Sequence, residues 1–246
     1  MTVTRDQLAA LAEVDTPTIC NALEVIDPAW RTQGFTTTPF TVLDPGLKPV
    51  VAVARTATIR AMTMPDQDEA AGRARRLRWY ERIAAADLPT VAVIQDLDRH
   101  PGFGAFWGEV QTHVHAGLGC VGGVTNGSIR DLDACAPGFQ LLAGAVAPSH
   151  AHVHLVEMGV VVEVHGLRVR DGDIVHADRH GAVVVPPHAL DALPAMIDRL
   201  ARKEAVILDA AKAPDFDLAE LKAAMERAAA TDRSEEHTSE LQSLLI

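Results

Sequence analysis

The sequence predicts an α/β fold, with a central β-α-β unit, antiparallel strands added after it and helices at the C-terminal end. Three observations predict it. Two short apolar runs, 90–94 and 120–124, bracket a helical stretch at about 106–116 that glycines close. Turn signals at His165-Gly166, Asp171-Gly172-Asp173 and Arg179-His180-Gly181 then recur at the interval of short antiparallel strands. Beyond them, 191–212 and 217–230 are Ala-rich and helical in pattern.

In chain order, Thr4-Arg5-Asp6-Gln7 has the spacing of a capping box and opens a short helix through Leu11. Thr16-Pro17 reads as an N-cap followed by proline at the first helical position. The helix it starts runs to about Val25, with Ile19, Ala22, Leu23 and Ile26 on one face. Asp44-Pro45-Gly46 is a turn, and 50–59 alternates as a strand. A polar helix begins at Pro65, Asp66, Asp68 and Glu69 and ends near Asp87. Its arginines (73, 75, 76, 78 and 82) read as a solvated face paired with Asp66, Asp68, Glu69 and Glu81. The run 90–94 is of the buried parallel type, and a loop at 98–104 carries Pro101, Gly102 and Gly104. The strand at 120–124 is expected to stop at Asn126-Gly127, a turn signal because both residues tolerate positive φ. Further strands fall at 140–146, 160–164 and 183–185. With no internal repeat or long linker, 1–232 reads as one domain. The stretch 233–246 resembles the translation of a common sequencing adapter and is set aside as a non-native tail.

Composition excludes several classes of partner. A chain of 246 residues that is 48% hydrophobic can bury one substantial core. Aromatics at 4% leave little for stacking bases, and a net charge of −11 disfavours nucleic acid and anionic membrane. Cys20, Cys120 and Cys135 form no Cys-x-x-Cys, which fits a reducing cytoplasm. No run approaches the ~18 apolar residues of a membrane span.

The chemistry is expected at one sheet edge. A strand that stops near Asn126 leaves Arg130 and Asp131 at its end, where α/β proteins place ligands. A right-handed crossover sets the start of the preceding helix, Gly108-Glu109-Val110-Gln111, on the same edge. Those four offer free backbone N–H groups and the positive end of the helix dipole. Arg130 can fork onto a carboxylate, and Asp131 is a hard oxygen ligand. Together they suit a small anionic substrate beside a divalent metal.

Other motifs carry less. The letters Gly117-Leu118-Gly119-Cys120-Val121-Gly122 match a dinucleotide fingerprint, but they join helix to strand rather than strand to helix and are rejected. His150, His152 and His154 would share a face only in a strand; Pro148 and Ser149 suggest a loop, and no carboxylate follows at ligand spacing. His113 and His115 diverge on their helix. His100 lies within reach of the site as an acid/base candidate, and Glu109 reads as a dipole partner.

With these residues in view, the chain resembles the RraA-like family, which includes divalent-metal-dependent 4-hydroxy-4-methyl-2-oxoglutarate aldolases. The resemblance runs from about 16 to 187 and is most specific from Gly108-Glu109 through Gly127-Ser128-Ile129-Arg130-Asp131. Val169-Arg170-Asp171-Gly172-Asp173 and His176-Ala177-Asp178-Arg179-His180-Gly181 agree with the family's following strands. It implies a swivelling β/β/α fold assembled as homotrimers or hexamers. It implies that Gly108, Glu109, Val110 and Gln111 bind substrate through their backbone N–H groups. Arg130 would be the substrate-binding and catalytic residue, and Asp131 would hold Mg²⁺ or Mn²⁺ largely through waters. The implied activity is that of a lyase. Retro-aldol cleavage of a small 2-oxo acid, or decarboxylation of oxaloacetate, gives pyruvate through an enolate that the metal and Arg130 stabilise. The alternative within the family is a non-catalytic, protein-binding regulator of ribonuclease E, in which the Arg-Asp pair is often broken; here it is intact. Two departures bear on the substrate. Leu97-Asp98-Arg99-His100-Pro101 follows Asp96 where the family usually has Gly-Gly, and Asn126 stands where an acidic residue is common.

Overall fold

The structure, a computed structural model, describes the backbone of residues 3–243 and the side chains of residues 3–230. The set-aside stretch 233–246 thus lies outside the residues whose side chains are described. By its contacts the chain divides into two compact units, Met1–Leu190 and Asp191–Ile246.

In the first unit, α1 (Arg5–Leu11) opens with the predicted capping box, Thr4 and Gln7 each accepting from the other's backbone N–H. α2 (Thr16–Ile26) departs from expectation, because Asp15 rather than Thr16 is its N-cap. The Asp15 carboxylate accepts from Thr18 N–H at 2.9 Å, while the buried Thr16 donates its own N–H to Asp178 Oδ2 at 3.0 Å. A carboxylate is the stronger acceptor at a helix start, which leaves the neighbouring threonine free to tie α2 to the sheet.

The sheet elements follow as β1 (Thr41–Val42), β2 (Val50–Arg60), β3 (Thr90–Asp96), β4 (Ala105–Trp107), β5 (Cys120–Ile129) and β6 (Gln140–Val146). After these come β7 (His154–Met158), β8 (Val162–Val164), β9 (Leu167–Val169), β10 (Ile174–Asp178) and β11 (Gly181–Val185). Helix α3 (Glu69–Ala84) joins β2 to β3, and α4 (Glu109–Gly117) joins β4 to β5. The main sheet runs β1-β6-β5-β3-β2-β10-β11, with β4 beside β5 and β7 beside β2; β8 and β9 form a separate pair. Its centre, β2-β3-β5-β6, is parallel, so β3, α4 and β5 make the predicted β-α-β unit. Strand β3 is covered on both faces, as its Val/Ile run requires. Ala92 and Ile94 join a core with Trp79, Trp107, Ile129 and Leu141, whereas Val91 and Val93 join one with Val124, Leu142, Val164 and Leu167.

Two local expectations fail instructively. Asn126-Gly127 is not a turn; neither residue has positive φ, and β5 runs on to Ile129. The Asn126 amide takes the place of ladder bonds, its Oδ1 accepting from Asp96 N–H at 2.7 Å and its Nδ2 donating to Asp96 O at 3.0 Å. The register with β6 shifts between Thr125 and Ser128, so the pair sits at a bulge. The helix expected from 106 begins only at Glu109, because Ala105–Trp107 is β4, paired parallel to β5.

In the second unit, α5 (Leu193–Ala211) and α6 (Leu218–Ser243) pack on each other. The α6 backbone continues past the expected end at 230, since no glycine or proline interrupts it. Among the described residues no helix is long and apolar enough to cross a membrane.

Candidate functional site

Strand β4 assembles the site. Pairing of Trp107 with Ile129 lets Arg130 N–H donate to Trp107 O at 3.0 Å, which brings Gly108 alongside Arg130 and Asp131. Asp131 then turns back in the left-handed region (φ 55°), and its carboxylate comes to lie over the start of α4. Its Oδ2 accepts from Glu109 N–H at 3.3 Å and lies 3.6 Å from Arg130 Nε. Both side chains are about one-third exposed, so the pair adds little to stability and its geometry is the point of interest.

Gly108 is required here for space rather than for backbone freedom. A Cβ at this position would sit 2.6 Å from Asp131 Oδ2 and 3.1 Å from Arg130 Cγ. Only a bare Cα lets carboxylate, guanidinium and helix start converge. Thr112 fixes the same junction from within. Buried in the first turn of α4, its Oγ1 accepts from Ala136 N–H at 2.9 Å and lies within hydrogen-bond reach of Gly108 O and Glu109 O. Nothing in the sequence pattern marked Thr112, because its bond to Ala136 spans two elements.

A cavity of about 720 Å³ opens beside this junction. Gly108, Val110, Gln111 and Arg130 line it on one side, His150, His152 and His154 on another, and α3 on a third. Val110 and Gln111 N–H make no hydrogen bond among the described residues, as befits the first turn of a helix whose N-cap glycine has no side chain. Tyr80 OH donates to Gln111 Oε1 at 3.0 Å and holds that side chain to α3.

The remaining candidates divide clearly. Glu109 is exposed and reaches the site only through its N–H. His100 is exposed and does not line the cavity. Its loop is organised instead by Asp96, whose carboxylate accepts from Asp98 N–H at 2.9 Å and Gly102 N–H at 2.8 Å. Burial pushes the Asp96 carboxyl above its usual range, against the pull of those two N–H groups. His115 belongs to the core. It accepts from Trp79 Nε1 at 2.8 Å, and burial lowers its pKa to about 4. The α3 arginines form a solvated face as expected, with Arg73, Arg76 and Arg78 exposed, but among the described residues they make no ion pair with the neighbouring acids. Arg82 instead binds Asp171 at 2.8 Å, and Arg73, Arg75 and Arg76 turn to the cavity.

The donor set can be tested against a divalent cation. Asp131 Oδ1 makes no hydrogen bond among the described residues, so one carboxylate oxygen is open toward solvent. Among those residues no group of three or more His, Cys, Asp or Glu gathers as a metal cage. A cation at Asp131 would therefore rest on one carboxylate and water. Mg²⁺, which keeps several waters and uses one or two carboxylates, fits that set.

Fold and junction define an α/β protein that brings a helix start, a guanidinium and a carboxylate together at the edge of a parallel sheet. The chain belongs to the RraA-like family: the model described as "RraA-like: Aldolase/RraA" matches residues 16–184. That family includes both aldolase/decarboxylase enzymes and ribonuclease E inhibitors. Among solved structures, the fold is similar to that of an uncharacterized protein from Pseudomonas syringae pv. tomato str. DC3000. The two are 19% identical, with 94% of this chain and 96% of that one covered and a TM-score of 0.66. It is also similar to Streptomyces coelicolor RraAS2, described as an unusual member of the RNase ES inhibitor RraA protein family. That match has 24% identity, covers 83% of this chain and 94% of that one, and has a TM-score of 0.63. No curated protein matches.

Proposed function

We propose that this chain is a divalent-metal-dependent lyase that cleaves a C–C bond of a small 2-oxo acid to give pyruvate, acting in the cytoplasm as a homotrimer or hexamer. The observation that carries the reading is the convergence of Arg130 and Asp131 on the α4 start across Gly108, where Gly108 and Arg130, though not Asp131 itself, line a cavity sized for a small molecule.

Each residue then has a task. The open N–H groups of Val110 and Gln111 and the dipole of α4 hold the substrate carboxylate. Arg130 binds the same end and places a fixed positive charge where negative charge grows as the bond breaks; such preorganised donors supply much of the rate in reactions of this kind. Asp131 holds Mg²⁺ or Mn²⁺, which when bound would polarise the keto oxygen as a Lewis acid. Thr112 positions the helix start relative to the Arg130 loop.

The test is pyruvate formation from hydroxylated 2-oxo diacids and from oxaloacetate, with Mg²⁺ and with chelator. Asp131→Ala is expected to lower metal-dependent turnover by roughly 100- to 1,000-fold. Unchanged turnover in that variant refutes the assignment.

A further inference from the structure

Helix α3 supplies one wall of the cavity. Glu69, Gly72, Arg73 and Arg76 follow at helical spacing along one face, and all four line it. Neither Arg73 nor Arg76 makes an ion pair or a hydrogen bond among the described residues. Arg75, between them, donates from Nη1 to Leu155 O at 3.0 Å and pins α3 to β7, so the wall is held in place. The acids nearby offset it only in part: Asp68 and Glu69 also line the cavity, Asp68 as the N-cap of α3 with its Oδ1 accepting from Ala71 N–H at 2.8 Å. The cavity thus gathers four guanidiniums, of Arg73, Arg75, Arg76 and Arg130, in a chain whose net charge is −11. Arg130 faces Asp131 at 3.6 Å and Arg75 bonds Leu155 O, but Arg73 and Arg76 have no such partner among the described residues, and their mutual repulsion is relieved when an anion is drawn in.

We propose that Arg73 and Arg76 form a second anion-binding subsite, which takes the distal carboxylate or phosphoryl group of a substrate whose 2-oxo-carboxylate end lies at Arg130 and the α4 start. The proposal rests on the lyase reading for the near end only. The ligand is then an acid charged at both ends, and Arg73 and Arg76 determine specificity by rejecting acids with a neutral far end. Carboxylate and phosphoryl groups both present oxygen pairs that match the guanidinium fork.

Titration calorimetry on the full chain with Mg²⁺ compares pyruvate, charged at one end, with 2-oxoglutarate and phosphonopyruvate, charged at both. The wild type is expected to bind the doubly charged acids roughly ten- to hundredfold more tightly than pyruvate. The tighter of the two identifies the distal group as carboxylate or phosphoryl. Arg73→Gln with Arg76→Gln is expected to abolish the preference and leave pyruvate affinity unchanged, while lysine at both positions restores part of it. Arg78→Gln is the control for net charge, because Arg78 is exposed on the same helix outside the cavity; the preference should survive there. A wild type without the preference, a double glutamine variant that keeps it, or an Arg78→Gln variant that loses it equally overturns the subsite. The lyase reading fails separately. If no acid yields pyruvate while the preference depends on Arg73 and Arg76, the subsite stands without the lyase. If Asp131→Ala abolishes pyruvate release while the double variant keeps wild-type preference, the lyase stands without the subsite.

Discussion

At the scale of single residues, the site depends on what is absent at Gly108. The Asp131 carboxylate occupies the space a side chain would take, 2.6 Å from where a Cβ would be. Relieving a contact that short means moving the Asp131 carboxylate, which breaks its hydrogen bond from Glu109 N–H. Gly108→Ala is therefore expected to push Asp131 off the helix start. Affinity for Mg²⁺ should fall about ten- to hundredfold, the range seen when a ligand loses its orienting partner, with the melting temperature changed by a few degrees at most. Metal titration by calorimetry checks this; wild-type affinity would show that Asp131 does not need this position.

At the scale of elements, β4 and β5 carry the geometry. Asn126 lies within β5 and holds Asp96 of β3 by two side-chain bonds where the ladder is broken. Asn126→Ala leaves the N–H and C=O of Asp96 without those partners in a largely buried place. A loss of about 1–3 kcal/mol follows, read as a lower urea midpoint with unchanged slope. The Asn-Gly pair misled the sequence reading for a physical reason. Short polar residues are frequent in turns because their side chains satisfy the backbone locally. Here the same ability satisfies the backbone of a neighbouring strand. Arg130 and Asp131 reach the strand end either way, since β5 runs on to Ile129 and stops beside them.

At the scale of the whole molecule, buried histidines set the response to acid. Burial lowers the pKa of His115 to about 4 and also lowers those of His165 and His176. Each is neutral in the fold and titrates near 6.5 once unfolded, so the unfolded chain takes up protons first as pH drops. Their contribution is complete above about pH 6.5 and is lost as pH falls toward the folded values; for His115 alone it is on the order of 3 kcal/mol. Melting temperature followed by circular dichroism should stay level from pH 7.5 to about 6.5 and fall from there to pH 5. A flat profile would mean that these rings are not held neutral. The competing view of the chain, a regulator that binds ribonuclease E, is tested at this scale too: a complex retained in a pull-down without added metal would favour it over the lyase.

Residue pattern alone determined the β-α-β centre, the strand-rich segment after it, the closing helices and the adjacency of Gly108 with Arg130 and Asp131. Each of these follows from apolar periodicity and from the handedness of one crossover, both written in consecutive residues. Only the tertiary structure decided that three residues before α4 form a strand, that Thr112 locks the junction, and that the exposed Arg73 and Arg76 line a cavity without pairing to their acidic neighbours. Those outcomes depend on partners far apart in the chain, Trp107 with Ile129, Thr112 with Ala136 and Arg82 with Asp171. A helix face is solvent or cavity wall according to what the rest of the fold sets opposite it, and local sequence carries no record of that.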